Sequence, residues 1–178
     1  MPAGESTRPT TDRVRESVFA QIASRLGVVD RDPAEQLSGL AFLDLYAGSG
    51  AVGLEAYSRG ANVTWVESHA GAARVITKNL DALKAAGSVR IMDVARFLAT
   101  ASVPFDIVWM DPPYTVANEE IEKILARLDE NHWVSRGGIV LVERAGRTSA
   151  IEFPESFLNV GHRRYGDTIV YSAEKGHT

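Results

Sequence analysis

Cysteine is absent from the 178-residue sequence, which removes disulfides, thiolate catalysis and cysteine-ligated zinc. Long apolar runs are missing as well. The longest, at 40–43, 107–110 and 139–142, are four residues each, whereas a membrane-spanning helix needs roughly 20. The opening MPAGESTRPT lacks the basic-then-apolar pattern of a secretory signal, so a cytoplasmic protein with no membrane contact is expected. No repeat, low-complexity tract or Gly/Ser linker divides the chain. One domain over 1–178 is therefore expected, with 1–38 as an N-terminal helix and loop and 39–178 as the core. Positive charge is in short supply: 19 basic against 23 acidic residues give −4 and a pI near 5.6. That balance runs against a nucleic-acid partner. Lysine in particular is scarce, four beside 15 arginines, and arginine is the cation suited to phosphate forks and base stacking. What is present, 45% hydrophobic and 24% charged residues, is a globular composition and excludes a disordered chain, a coiled coil and a collagen-like fibre.

From residue 40 onward, β-prone runs alternate with helical patterns. Strands are expected at 40–46, 62–67, 88–92, 105–111 and 138–143, with helices at 52–59, 69–86, 93–101 and 117–130. Such alternation means βαβ units, hence a parallel sheet covered by helices on both faces. Ile121, Ile124, Leu125 and Leu128 follow helical spacing, as do Ala72, Ile76, Leu80 and Leu83. Ahead of the first strand, TTDRVRESVFAQIASRLG predicts a helix capped by Thr10 or Thr11, with Val14, Val18, Ile22 and Leu26 on one face and Gly27 as its stop. Residues 28–38 read as loop. Two extended stretches, 156–163 and 168–173, flank RYGD, which predicts a closing hairpin that adds an antiparallel strand to the sheet. Gly166 supplies the positive φ of that turn, with Tyr165 and Asp167 beside it.

The first strand runs into AGSGAVG. Gly48, Gly50 and Gly53 match G-x-G-x-x-G between a strand and a helix, the context in which glycines let the backbone approach a nucleoside ligand. Glu67 ends the next strand, seventeen residues after Gly50, where an acid can accept both ribose hydroxyls. Asp44, Glu67, Asp93 and Asp111 all fall in or just beyond the C-terminal parts of consecutive strands. A cluster of acids suits the sulfonium of S-adenosylmethionine better than the pyrophosphate of a dinucleotide.

The fourth strand ends in Asp111, Pro112, Pro113 and Tyr114. Two prolines stiffen the loop and remove two donors, so it presents acceptors. The chemistry that needs this is methylation of a planar amino group. The Asp111 carboxylate and Pro112 carbonyl accept one N–H each, which turns the nitrogen lone pair toward a methyl donor. Asp111 takes the proton, and Tyr114 stacks on a base brought out of its helix or loop.

The stretches RPTTDRVRESVF (8–19), LDLYAGSGAVGLEAYSRGA (43–61), VES (66–68), DPPY (111–114) and YGDT (165–168) together resemble the RsmD-type 16S rRNA guanine-N2 methyltransferases. The resemblance covers about residues 8–171. It implies an α/β, Rossmann-like class I methyltransferase fold, with a mostly parallel seven-stranded sheet, helices on both faces and a C-terminal antiparallel hairpin. It further implies S-adenosylmethionine as donor, S-adenosylhomocysteine as product, and 16S rRNA or an assembling 30S subunit as partner of a monomer. By matching motif, Asp44, Tyr46, Ala47, Gly48, Ser49, Gly50, Glu67 and Ser68 hold the cofactor, Asp93 and Val94 meet its adenine, and Asp111 to Tyr114 hold the base. Arg8, Thr10 and Arg13 lie in the N-terminal signature, near the cofactor's methionine end or the RNA. Members of the family carry a further basic segment before the Arg-Pro-Thr signature, whereas seven residues precede Arg8 here. A chain starting at this point is expected to keep cofactor binding and to lose RNA affinity.

His69, His132, His162 and His177 show no metal-ligand spacing, so no metal is expected. Arg144 with Arg147, and Arg163 with Arg164, border the sheet ends, where they serve either as phosphate contacts or as solvated loop charges. Three rival readings stay open. Adenine-N6 or cytosine-N4 methylation of DNA shares the D-P-P-Y chemistry but commonly needs a separate recognition domain. An NAD-dependent oxidoreductase leaves D-P-P-Y unexplained. A non-catalytic RNA-binding module leaves Asp111 without a role.

Overall fold

The β-branched and aromatic runs do form strands and the 3.6-periodic segments do form helices, in a computed structural model that describes residues 12–177. In chain order the elements are α1 (Asp12–Leu26), β1 (Ala41–Leu45), α2 (Ala51–Ser58), β2 (Asn62–Glu67), α3 (Ala70–Leu83), β3 (Ser88–Ile91) and α4 (Val94–Phe97). They continue with β4 (Phe105–Met110), α5 (Asn118–Glu130), β5 (Val134–Ala145), β6 (Phe157–Tyr165) and β7 (Thr168–Lys175). The strands form one seven-stranded sheet among the described residues, ordered β3-β2-β1-β4-β5-β7-β6. The first five strands pair in parallel, and β7 runs antiparallel to both β5 and β6. The sheet order therefore reverses at β1 and β4, whose carboxyl ends open the crevice where such folds take their ligands.

Alternation along each strand feeds two cores. Leu43, Leu45, Val108, Met110, Val140 and Val142 meet α4 and α5 on one face. Phe42, Trp65, Ile107, Trp109, Ile139 and Leu141 meet α1, α2 and α3 on the other. The stripe Ile121, Ile124, Leu125 and Leu128 is buried as its spacing requires. In α3 the buried positions are Ala73, Ile76 and Leu80, while Leu83 in the last turn is exposed.

α3 ends at Leu83, short of the expected 86, and the two hairpin strands end two residues later than expected, at Tyr165 and Lys175; α4 and β5 differ most. α4 covers only 94–97, because Thr100 turns its hydroxyl onto the Phe97 carbonyl (2.8 Å) and polar residues lead to Pro104. β5 begins four residues before the expected 138, passing through Gly137 at φ 73°. A register shift against β4 accompanies that stretch, so the Ser-Arg-Gly-Gly ahead of the expected strand is itself irregular strand. The closing hairpin forms, with Gly166 at φ 60°. Among the described residues, no helix is long and apolar enough to cross a membrane.

Candidate active site

Strand register decides which predicted residues meet. Leu45 pairs with Val66 on one side and with Met110 on the other. The next residues, Tyr46, Glu67 and Asp111, are therefore level along the carboxyl edge of three adjacent strands. With strands about 4.8 Å apart, Glu67 and Asp111 stand two spacings, roughly 10 Å, from each other. Asp93 follows β3 at the far side.

The glycine loop is built from its neighbours' demands. Gly48 (φ 54°) and Gly50 (φ 80°) both adopt left-handed backbone, and Gly50 caps α2. Gly53 is needed for packing instead: a Cβ there would lie 2.1 Å from Nε1 of the buried Trp65. That indole donates to the Gly50 carbonyl (3.3 Å). Asp44 is buried, and its Oδ2 accepts from the Gly53 amide at 2.9 Å. It thus holds the loop from the sheet. Burial pushes the Asp44 carboxyl well above the usual carboxylate range, the Gly53 hydrogen bond opposes this, and the charges of Asp111 and Glu67 add to the rise. Asp44, Glu67 and Asp111 thus stand close enough along one edge of the sheet to act on one another.

Glu67 is half-buried, with Oε2 accepting from Gly48 N (2.7 Å) and Oε1 from His69 N (2.7 Å). A carboxylate has about four acceptor positions, so each oxygen keeps one for a ligand hydroxyl. Ser68 is exposed beside it, and His69 caps α3 by accepting from Ala72 N (3.3 Å). Ala47 donates to the Val66 carbonyl (3.0 Å), and Ser49 is exposed at the loop tip. Asp93 caps α4 through Oδ1 (2.8 Å from Arg96 N). The Val94 side chain is buried in the core, so what it presents to a ligand is backbone. Tyr46 sits at φ 61°, a conformation that costs a non-glycine residue of order 1 kcal/mol or more. Burial raises its phenol to about 12, with the Glu120 charge adding and Arg144 opposing.

In the D-P-P-Y loop Asp111 is half-buried, Pro112 buried, Pro113 exposed and Tyr114 45% exposed. The Pro113 carbonyl accepts from Val116 N (2.9 Å) and folds the loop back. Among the described residues nothing donates to the Pro112 carbonyl. Asp111 and the Pro112 carbonyl thus place one acidic and one neutral acceptor side by side, with the Tyr114 ring just beyond them along the chain.

Arg144 is neither the exposed phosphate contact nor the solvated loop charge that its place at a sheet end offers. It is 1% exposed, and its Nη2 donates to the Val116 carbonyl (2.7 Å) and to Asn118 Oδ1 (3.1 Å). Asn118 in turn donates to the Ser149 carbonyl (2.8 Å) and hydroxyl (3.0 Å). The pair ties the loop after β4 to the loop after β5. Among the described residues, Nε and Nη1 of Arg144 are buried without hydrogen-bond partners. Burial lowers the guanidinium's affinity for its proton, while Tyr171, Tyr46, Asp111 and Tyr114 oppose that fall. Composition gave no sign of this, since VERAGR reads as a charged strand end. Arg13 lies exposed in the first turn of α1. Arg8 and Thr10, and both candidate caps of α1, lie outside the described residues.

The strand order, the glycine loop at the first βα turn and D-P-P-Y at the end of β4 define a Rossmann-like methyltransferase. Comparison with known proteins narrows the class. The profile of the family described as "Conserved hypothetical protein 95" matches residues 1–174. The ribosomal RNA small subunit methyltransferase D of Escherichia coli (strain K12) is 36% identical over 146 residues, 80% of this chain and 67% of that protein. The chain belongs to this RsmD family of small-subunit rRNA methyltransferases. Its fold superposes on the solved structure of Escherichia coli yhhF with a TM-score of 0.82 at 28% identity, covering 100% of this chain and 92% of that one. The T. thermophilus 16S rRNA N2 G1207 methyltransferase RsmC, solved with AdoMet and guanosine, shares the fold at a TM-score of 0.67 and 23% identity, covering 96% of this chain and 45% of that one.

Proposed function

We propose that the protein transfers a methyl group from S-adenosylmethionine to the exocyclic N2 amino group of a guanine in 16S rRNA, as a cytoplasmic monomer. The observation that carries this reading is the level placement of Glu67 and Asp111 about two strand spacings apart, with the Gly48–Gly50 loop between them. The residues fit the cofactor. Glu67 retains acceptor positions for a ribose diol, Asp93 and the Val94 backbone lie where an adenine edge falls, and Asp44 keeps the glycine loop in shape. Tyr46, Ala47, Ser49 and Ser68 complete the cofactor's surroundings. The neighbouring carboxylates of Glu67 and Asp111 suit a cation. When bound, S-adenosylmethionine supplies an electrophilic methyl on a positive sulfonium.

Asp111 and Pro112 act on the acceptor. Their oxygens accept the two N–H groups of the amine and aim its lone pair; Asp111 then receives the proton released as the nitrogen–carbon bond forms. Pro113 fixes the turn, and Tyr114 stacks on the extruded base. Arg8, Thr10 and Arg13 contribute RNA contacts from the N-terminal side. The test incubates the chain and labelled cofactor with undermethylated 30S subunits, naked 16S rRNA and DNA, followed by nucleoside mapping. Label in N2-methylguanine of the 30S subunits or the rRNA is expected. Label confined to N6-methyladenine or N4-methylcytosine in DNA would overturn the reading.

A further inference from the structure

Between the second half of α1 and the β6–β7 hairpin runs an open groove of about 410 Å³. It lies on the α1 face of the sheet, three strands away from β4. Gln21, Ser24 and Arg25 form one wall, and Arg163 and Ser172 form the other. The floor is held by Ser172 Oγ, which accepts from Gln21 Nε2 (2.8 Å) and from Arg25 Nη2 (2.9 Å). Gly161 and His162 border the groove as well; alternation along β6 turns the His162 ring toward Tyr171 (5.7 Å between ring centroids) and Arg163 into the groove. Arg163 is exposed, and among the described residues its side chain makes no hydrogen bond or ion pair.

Three features specify the ligand. In a chain of net charge −4, the groove is lined by two arginines and by no acid. Glu174, two residues along β7, is engaged by Asn159 Nδ2 (3.3 Å). Gln21 Oε1 is buried and, among the described residues, has no donor, so the groove offers an acceptor as well as cations. A ribose-phosphate segment meets both needs, an anion for the guanidinium groups and a 2′-hydroxyl donor for the amide oxygen. The groove is also continuous with α1: Arg13, Ala20 and Ser24 fall at i, i+7 and i+11, a single stripe of the helix.

Resting on the reaction proposed above, we infer that this groove holds the sugar–phosphate backbone of the RNA substrate at a distance from the methylated base. Three strand spacings put it roughly 14 Å from the β4 edge. That is about four nucleotides of stacked strand at 3.4 Å per phosphate. The groove fixes the register of the RNA, while D-P-P-Y selects the base.

The test is equilibrium binding of a fluorescently labelled 16S rRNA fragment to the full chain, read by anisotropy over a salt series. R25A/R163A is expected to bind about tenfold more weakly and to lower the slope of log K against log[salt] by about 1.4, two single-strand phosphate contacts' worth. R163K keeps most of the affinity, R163E loses more than the double alanine variant, and R74A on α3 matches the unaltered protein. Because Arg25 also braces Ser172, the exposed Arg163 variants keep the test independent of folding. Unchanged RNA affinity and salt slope in R25A/R163A and R163E would overturn the inference. So would weakened binding of assembled 30S particles with naked RNA unaffected, which would assign the groove to a protein partner. The readout is binding, so failure of guanine-N2 transfer with this pattern intact would contradict the proposed reaction and leave the groove's role standing.

Discussion

Gly53 shows how a single residue in the site answers to packing. A methyl group at that position would be driven to 2.1 Å from the Trp65 indole nitrogen, and Trp65 is fully buried. G53A is expected to destabilise the fold by about 1–3 kcal/mol, as overpacking does, measurable by denaturant unfolding. Asp44 carries a different tension. Its folded-state pKa is raised by burial, so its contribution to stability is fully present below the unfolded carboxylate value of about 3.9 and lost as pH rises through the folded value. D44N keeps an acceptor for Gly53 N without the charge. Its thermal midpoint is therefore expected to match the parent's in acid and to exceed it increasingly as pH rises, while cofactor affinity falls. A midpoint below the parent's at neutral pH would show that the charge stabilises the loop. Both roles were partly legible: the glycine spacing and the strand-end acids stand in the sequence, but Trp65 as the reason for Gly53 does not, because it is twelve residues from Gly53 along the chain and arrives on β2.

At the scale of elements, the helices with clean periodicity could be read and the irregular ones could not. α5 has four apolar residues at the right spacing and is as expected. β5 has a Gly-Gly in its first half, and no local rule distinguishes a bulged strand from a turn there. Arg144 eluded sequence reading for a related reason: whether a guanidinium at a strand end is solvated or buried is settled by what the following loops fold over it. Here Val116, Asn118 and Ser149 do so. R144M removes the tie between the β4 and β5 loops while leaving apolar bulk. Stability is expected to hold or rise, since replacing a buried charge by a packed apolar side chain is often neutral or favourable. Transfer rate is expected to fall by about tenfold or more, because small misplacements of the acceptor groups are costly, with cofactor affinity unchanged. Unaltered turnover in R144M would show that the D-P-P-Y loop holds its geometry alone.

For the whole molecule, the deficit of positive charge turns out to be unevenly distributed. Acids gather at the carboxyl edge of β1, β2 and β4, where Asp44 feels the charges of Asp111 and Glu67, and arginines remain on α1 and β6. A net charge of −4 is thus compatible with an rRNA methyltransferase family, since under the proposed reaction the acids serve a cationic cofactor and the arginines of α1 and β6 stand away from them. The central claim is a division of labour along that edge: Glu67 and the glycine loop serve the methyl donor, and Asp111 serves the acceptor. The most direct measurement is D111A, assayed for single-turnover methyl transfer and for S-adenosylmethionine affinity by calorimetry. The division predicts a loss of transfer of about a hundredfold or more, with cofactor affinity nearly that of the unaltered protein. Retained transfer, or a collapse of cofactor affinity matching the loss of rate, would contradict it.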